Sequence, residues 1–196
     1  MTLLGRLYLI TGARDDLAGF LEAAVRGGVD IVQMREKSLP DGDLLEVLQE
    51  AREVTRRLGV PLVVNDRPDL AVLAEADYVH LGQDDLPVPA ARQLGLRVGQ
   101  STHSPDELDR TEADHAGVGP VYSTPTKAGR PAVGLELVRY AAGHARVPWF
   151  AIGGIDASNV ADVVAAGAER IAVVRAIGDA PDPERAAAAL RVILPC

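Results

Sequence analysis

The sequence predicts an α/β protein folded as a single (β/α)8 (TIM) barrel over residues 1–196. Eight short apolar or β-branched runs alternate with longer segments of helical periodicity. Parallel strands need such crossovers, and eight strand–helix units can close into a barrel. A doubly wound open sheet is the alternative, but the first predicted strand–helix turn, Ile10 to Arg14, lacks the glycine fingerprint of dinucleotide-binding sheets. The chain is short for a barrel, so its loops must be short.

Each predicted strand is a run of five to seven residues rich in Val, Ile, Leu or aromatic side chains. In chain order the strands cover 6–11, 30–35, 61–65, 78–82, 97–101, 116–122, 148–152 and 170–174. The clearest helix covers 43–58, where apolar residues from Leu44 to Leu58 recur at helical spacing. Asp41, Asp156 and Ser158 are predicted helix N-caps, and Gly59 is a predicted C-cap.

The composition is that of an ordinary globular protein, 47% hydrophobic and 24% charged. The net charge of −8 argues against binding to nucleic acid or to an acidic membrane. The single cysteine, Cys196, excludes an internal disulfide and a cysteine metal cluster. Met1–Ile10 lacks the apolar core of a signal peptide, and no run reaches the roughly 20 apolar residues of a membrane span. We expect a cytoplasmic enzyme with small-molecule partners; the sequence does not predict an oligomeric state.

Polar residues follow seven consecutive predicted strands, at the end of a barrel where active sites lie. A general polarity of loops would explain one or two such positions rather than all seven. The residues are Gln33, Arg35 and Lys37; Asn65, Asp66 and Arg67; Gly82, Gln83, Asp84 and Asp85; Ser101, Thr102 and His103; Thr124, Thr126 and Lys127; Gly153 and Gly154; and Arg175.

The charged residues of these strand ends indicate an anion site. Arg35 and Lys37 lie on the same face of a strand and offer a planar fork and a point charge to a polyphosphate. Lys37 and Lys127 are the only lysines among the 20 Lys and Arg residues. Their retention indicates positions that need a compact ammonium group rather than a planar guanidinium. Compositional drift is the alternative explanation.

Two aspartates, Asp66 and Asp85, follow neighbouring predicted strands. Two carboxylates close together raise each other's pKa unless a cation lies between them. Mg²⁺ prefers one or two carboxylates together with phosphate oxygens and water, so the pair predicts a magnesium site. The alternative is that the aspartates cap helices or pair with Arg67.

A second anion site is predicted after strands seven and eight. The Gly153–Gly154 pair lets backbone amides approach a ligand, a helix from about Ser158 follows, and Arg175 lies at the next strand end. A simple tight turn is the alternative for the two glycines. The histidines do not indicate a catalytic triad: His80 and His115 are expected to be packed within strands, and His103 near the barrel mouth.

Seven motifs, in order along nearly the whole chain, resemble the thiamine-phosphate synthase (thiamine-phosphate pyrophosphorylase) family. They are QMREK at 33–37, ND at 65–66, HLGQDD at 80–85, GQSTHS at 99–104, GPVYSTPTK at 119–127, IGGI at 152–155 and VVRAI at 173–177. The resemblance implies a barrel enzyme that joins 4-amino-5-hydroxymethyl-2-methylpyrimidine diphosphate to 4-methyl-5-(2-phosphoethyl)thiazole or its carboxylated form. Its products would be thiamine phosphate and pyrophosphate.

The resemblance also implies roles for individual residues. Catalysis would involve Arg35, Lys37, Ser101 and Lys127. The pyrimidine diphosphate would contact Gln33, Met34, Arg35, Glu36, Lys37, Asn65, Ser101 and Lys127. The thiazole phosphate would contact Thr124, Pro125, Thr126, Gly154, Val174 and Arg175, although the family often has serine at the last position. One Mg²⁺ would be held by Asp66 and Asp85, with Asp84 as the neighbouring alternative.

The reaction implied by the resemblance is dissociative: pyrophosphate leaves, the aminopyrimidine stabilises the cation, and the thiazole nitrogen attacks. No protein nucleophile is needed. Two other functions remain open. A thiazole tautomerase shares the barrel and several motifs but has a histidine where this chain has Pro120. A phosphate-binding barrel without catalytic activity is the third interpretation.

Overall fold

The computed structural model describes residues 5–124 and 131–195. Eight parallel strands form a closed barrel in chain order, and β8 pairs back to β1 through Leu7 and Ile171. The predicted barrel is confirmed, and the open-sheet alternative is wrong. The strands are β1 Leu7–Thr11, β2 Ile31–Met34, β3 Leu62–Asn65, β4 Tyr78–Leu81, β5 Arg97–Thr102, β6 His115–Val118, β7 Trp149–Ile152 and β8 Ile171–Val173.

A helix follows each strand in the described part of the chain, and two follow β8. The helices are α1 Leu17–Arg26, α2 Asp41–Leu58, α3 Pro68–Leu73, α4 Val88–Arg92, α5 Pro105–Arg110, α6 Gly134–His144, α7 Val160–Ala165, α8 Arg175–Gly178 and α9 Pro183–Arg191. None of the helices in these ranges is long and apolar enough to cross a membrane.

Strand alternation divides the core into an outer and an inner layer. Leu7 and Leu9 point outward and pack with helix residues, whereas Tyr8 and Ile10 point into the barrel. The inner cluster consists of strand residues alone: Tyr8, Ile10, Ile31, Val63, Tyr78, Phe150 and Ala172. It fills the barrel below the mouth, so inward-facing residues at the carboxyl ends of the strands lie at the opening.

The observed element ends correct one predicted strand boundary and one predicted cap, and confirm another cap. Strand six ends at Val118 rather than at 122, because Pro120 has no N–H with which to continue a parallel ladder. Asp41 is the first residue of α2, after the N-cap Pro40, so its predicted role as a cap is wrong. Gly59 is confirmed as a C-cap, with the left-handed φ of 72° that favours glycine.

The predicted caps before α7 are also wrong. The helix begins at Val160, two residues later than expected, and its N-cap is Asn159. The Asp156 carboxylate instead accepts hydrogen bonds from the Ser158 backbone N–H at 2.8 Å and from its hydroxyl. This local turn makes the Asp156–Asn159 segment part of the β7–α7 loop.

Candidate active site

A cavity of about 410 Å³ opens at the carboxyl ends of the strands. This volume suits a small organic ligand. The lining includes residues that the sequence predicts as site residues: Gln33, Arg35, Lys37, Asn65, Asp66, Asp85, Ser101, Thr124, Gly154, Val174 and Arg175. The fold therefore brings both halves of the predicted site, the diphosphate half and the thiazole half, to one opening.

Five predicted site residues need separate mention. Pro125, Thr126 and Lys127 lie outside the described residues. The Met34 side chain is 1% exposed and packs in the outer layer, away from the cavity. Glu36 is not part of the described cavity lining either. Neither Met34 nor Glu36 therefore lines the described cavity.

Glu36 instead holds the β2–α2 loop in place. Its Oε1 accepts hydrogen bonds from the backbone N–H groups of Lys37 (2.8 Å) and Ser38 (3.0 Å) and from the Ser38 hydroxyl (2.7 Å). Its Oε2 accepts from the Ala13 N–H at 3.3 Å, which links the loop to the one after β1. The two hydrogen bonds from Ser38, with smaller contributions from the backbone N–H groups of Lys37 and Ala13, lower the pKa of Glu36 to about 2. Glu36 thus fixes the loop that carries Arg35 and Lys37.

The centre of the charged half is Asp66, which has a left-handed φ of 61°. The Lys37 Nζ lies 3.5 Å and the Arg35 guanidinium 3.7 Å from its Oδ2. The Asp85 carboxyl group is also within hydrogen-bonding reach of Asp66. Burial raises the pKa of Asp66, and repulsion by Asp85 raises it further, against the lowering effect of the two cations.

The alternative in which Arg67 neutralises this pair is wrong. Arg67 turns outward and pairs with Asp41 and Asp69 at the protein surface. Asp85 is held toward the cavity, because one of its oxygens accepts a hydrogen bond of 2.6 Å from the Gly82 N–H. Asp85, rather than its neighbour Asp84, is therefore the partner of Asp66.

The carboxylate pair suits a hard divalent cation that also binds a ligand phosphate. Within residues 5–124 and 131–195, no group of three or more His, Cys, Asp or Glu residues could enclose a metal by itself. Two carboxylates beside open space are the set that Mg²⁺ uses when substrate oxygens and water complete its shell. Burial and the nearby Asp85 both raise the pKa of Asp66 and so disfavour its charged form, an effect that a bound cation would oppose.

Neighbouring strands supply two further polar side chains, His80 and Gln83, for which the sequence predicts no ligand role. His80 lines the cavity, and its Nε2 lies 3.0 Å from the Ser101 hydroxyl. The Gln83 amide donates a hydrogen bond of 2.6 Å to the Ser101 carbonyl. His80 was expected only to be packed. Tyr78 and His80 are two residues apart on one strand and therefore point to the same side of the sheet. This spacing was the sequence signal that could have placed His80 at the barrel mouth.

The second half of the cavity is built on the two glycines after β7. Gly153 has φ 107° and Gly154 has φ 64°, conformations that favour glycine. A Cβ on Gly153 would lie 2.5 Å from the Pro120 Cα, so the segment after β6 packs directly against this turn. The two glycines form a tight turn that also lines the cavity, and the anion site expected there stays a prediction. Arg175, the first residue of α8, lines the cavity beside this turn.

Comparison with known proteins identifies the family. Residues 7–177 match a family model described as thiamine monophosphate synthase. The chain belongs to this family. It is 51% identical to the thiamine-phosphate synthase of Thermus thermophilus, over 96% of this chain and 97% of that protein. It is 48% identical to the thiamine-phosphate synthase of Nostoc sp., over 91% of this chain.

The length of the relatives differs. The chain spans only 52% of the Nostoc protein.

Among solved structures, the thiamine phosphate pyrophosphorylase of Pyrococcus furiosus superposes with a TM-score of 0.87 at 33% identity. That match covers 96% of this chain and 94% of the other, so the described barrel corresponds to nearly all of that protein.

Proposed function

We propose that the protein is a transferase that joins 4-amino-5-hydroxymethyl-2-methylpyrimidine diphosphate to 4-methyl-5-(2-phosphoethyl)thiazole, or its carboxylated form, and releases pyrophosphate, together with carbon dioxide when the carboxylated form reacts. The observation that carries the proposal is the charge arrangement around Asp66. Two carboxylates and two cationic side chains meet at one wall of a cavity large enough for an organic ligand. The family membership of the chain supports the same reaction.

The diphosphate occupies the wall formed by β2, β3 and β5 in this proposal. Arg35 presents a planar fork and Lys37 a point charge, while the buried Asn65 and Ser101 add polar groups deeper in the barrel. Lys127 joins them according to the family motif. Met34 and Glu36 contribute backbone contacts only, because the Met34 side chain packs outward and the Glu36 carboxylate binds loop amides.

One Mg²⁺ ion, held by Asp66 and Asp85, would supply charge stabilisation for the departing diphosphate. The cationic side chains of the protein also stabilise the departing diphosphate. As the carbon–oxygen bond breaks, both bonding electrons leave with the diphosphate, and Arg35, Lys37 and Lys127 stabilise the growing negative charge. The Ser101 hydroxyl and the neighbouring His80 ring are the polar groups beside the diphosphate at the inner end of the cavity.

The carbon left behind is an electron-poor benzyl-like cation, which the amino group of the pyrimidine stabilises by resonance. The lone pair of the thiazole nitrogen then forms the new carbon–nitrogen bond, so no protein nucleophile and no base are required. Water would capture such a cation. Ile10, Ile152 and Val173 form an apolar part of the cavity lining, which keeps water away from the reacting carbon.

The thiazole phosphate occupies the opposite wall. Thr124, Gly154, Val174 and Arg175 line it, and the family motif adds Pro125 and Thr126. The Asp156 carboxylate also lines this wall, but its bonds to Ser158 lower its pKa and hold it in the loop. Arg175 supplies a positive charge to this half of the cavity, and the ionised Asp156 carboxylate, whose pKa this charge also lowers, offsets part of it.

Replacing Arg175 with alanine should raise the KM for the thiazole phosphate by about 10-fold or more, with a smaller change in kcat. A hydrogen bond to a charged group contributes about 1.5–3 kcal/mol, and this one would be made before and during the reaction alike. Steady-state kinetics with each substrate varied in turn measures the effect. Arg139→Ala, an exposed arginine on α6 paired with Glu136, is the control. An equal rise in the KM of both substrates would contradict separate phosphate sites.

Pyrophosphate release tests the proposed function. The protein should release pyrophosphate and form thiamine phosphate in equal amounts when Mg²⁺ and both substrates are present, and should form no thiamine phosphate when the thiazole phosphate is omitted. A tautomerase would isomerise the thiazole without releasing pyrophosphate. A barrel that only binds phosphate would do neither. Either of these two results would overturn the proposal.

A further inference from the structure

The Gln33 amide, at the floor of the cavity, is held from below by a tyrosine. The Gln33 Nε2 donates a hydrogen bond of 2.6 Å to the Tyr8 hydroxyl. Both residues face the barrel interior on neighbouring strands. Tyr8 pairs in register with Ile31, so Gln33 lies two residues nearer the mouth. The exposed fractions are 1% for Gln33 and 2% for Tyr8, so water does not compete for the bond.

Tyr8 is itself held firmly. Its ring packs edge-to-face against Phe150, with centroids 5.1 Å apart, and against His115 at 6.0 Å. Burial raises the pKa of Tyr8, so the hydroxyl remains protonated at any pH at which the protein works. The hydroxyl is therefore a neutral partner at a fixed position, carried by a ring that cannot move without disturbing the inner cluster.

We propose that Tyr8 is a positioning residue for the pyrimidine half of the cavity, acting through Gln33. This inference rests on the proposed function and on the contact of Gln33 with the pyrimidine diphosphate that the family resemblance implies. The terminal torsion of a glutamine side chain is broad, so an unheld amide samples several orientations. The bond to Tyr8 uses one amide donor and leaves the other polar groups of Gln33 set toward the ligand before it binds. Binding then avoids the entropy cost of ordering the side chain.

The variant Tyr8→Phe tests the proposal, since it removes only the hydroxyl and keeps the ring. The KM for the pyrimidine diphosphate should rise about 3- to 10-fold, the range set by one neutral hydrogen bond, while the KM for the thiazole phosphate stays unchanged. Tyr78→Phe is the matched control. Tyr78 belongs to the same inner cluster, but its ring lies under Arg97 at the far end of the barrel. It should leave both KM values unchanged.

A double-mutant cycle separates positioning from simple packing. In the Gln33→Ala background, Tyr8→Phe should have no further effect on the KM for the pyrimidine diphosphate, because the amide through which it acts is gone. A full and additive effect of Tyr8→Phe in that background would overturn the inference. So would a wild-type KM in Tyr8→Phe itself.

Calorimetric titration of the pyrimidine diphosphate, run on the same four proteins, distinguishes failure of this inference from failure of the proposed function. Wild-type protein that binds the diphosphate but releases no pyrophosphate would overturn the function, and the cycle would still decide the role of Tyr8 from the dissociation constants. Wild-type protein that does not bind it would overturn both.

Discussion

Replacing Asp66 with asparagine should lower turnover by about two to three orders of magnitude, the loss seen when one preorganised electrostatic group is removed from a catalytic site. Asparagine has the same shape and tolerates the left-handed φ of 61° found at this position, so the barrel should remain folded. The lost charge weakens the magnesium site and leaves Arg35 and Lys37 without their common partner. Pyrophosphate release at saturating substrates, with thermal unfolding as a check on folding, measures the effect.

Asp85→Asn should cause a loss of similar size. Its neighbour offers a matched control, because Asp84 lines the same cavity but is not the partner of Asp66. Asp84→Asn should therefore retain most of the activity. Full turnover of Asp66→Asn or Asp85→Asn in trace magnesium would contradict the two-carboxylate site, and a larger loss in Asp84→Asn than in Asp85→Asn would move the site by one residue.

The second large effect concerns stability rather than turnover. His115 is buried in the centre of the barrel, and neither of its ring nitrogens has a hydrogen-bond partner in the described structure. Burial lowers its pKa from 6.5 to about 4, with Asp114 opposing the shift only in part. Between these two values the unfolded chain binds a proton that the folded chain does not. The free energy of unfolding should therefore fall as the pH falls, by about 1.4 kcal/mol per unit, or about 3 kcal/mol in all.

Denaturant unfolding of wild type and His115→Phe across this pH range isolates the effect. Phenylalanine suits a position that already packs against Tyr8, Tyr78 and Phe150, and it cannot titrate. The difference in unfolding free energy between the two proteins should shift in favour of His115→Phe as the pH falls through the window from about 6.5 to about 4. His144→Gln, at an exposed histidine on α6, is the control for a surface site. Parallel pH profiles for wild type and His115→Phe would contradict the assignment.

The sequence predicted the barrel and much of the cavity lining for one physical reason. Alternation of period two and helical periodicity locate the strands within a few residues, and the carboxyl ends of parallel strands must meet at one edge. Polar side chains that point inward there, such as those of Asn65 and Arg175, face the same opening. The largest strand error, after β6, arose because an apolar run continued past Val118 although the chain turns away at Pro120.

Contacts between strands could not be predicted in the same way. The bond from Gln33 to Tyr8 and the contact of His80 with Ser101 depend on register and on closure of the barrel, which local patterns do not determine. Glu36 is the converse case. The family resemblance implies a ligand contact for this residue, whereas in the structure backbone N–H groups of the two adjoining loops bind its carboxylate.

In the proposed function, Asp66 and Asp85 form a metal site that the diphosphate completes. The dissociation constant of pyrophosphate, measured by calorimetry with and without Mg²⁺, is the decisive measurement for this site. Wild-type protein should bind pyrophosphate more tightly with Mg²⁺ than without, because the metal joins the carboxylates to the ligand oxygens. The Asp66→Asn, Asp85→Asn double variant should lose this magnesium dependence. An unchanged magnesium dependence in the double variant would contradict the account.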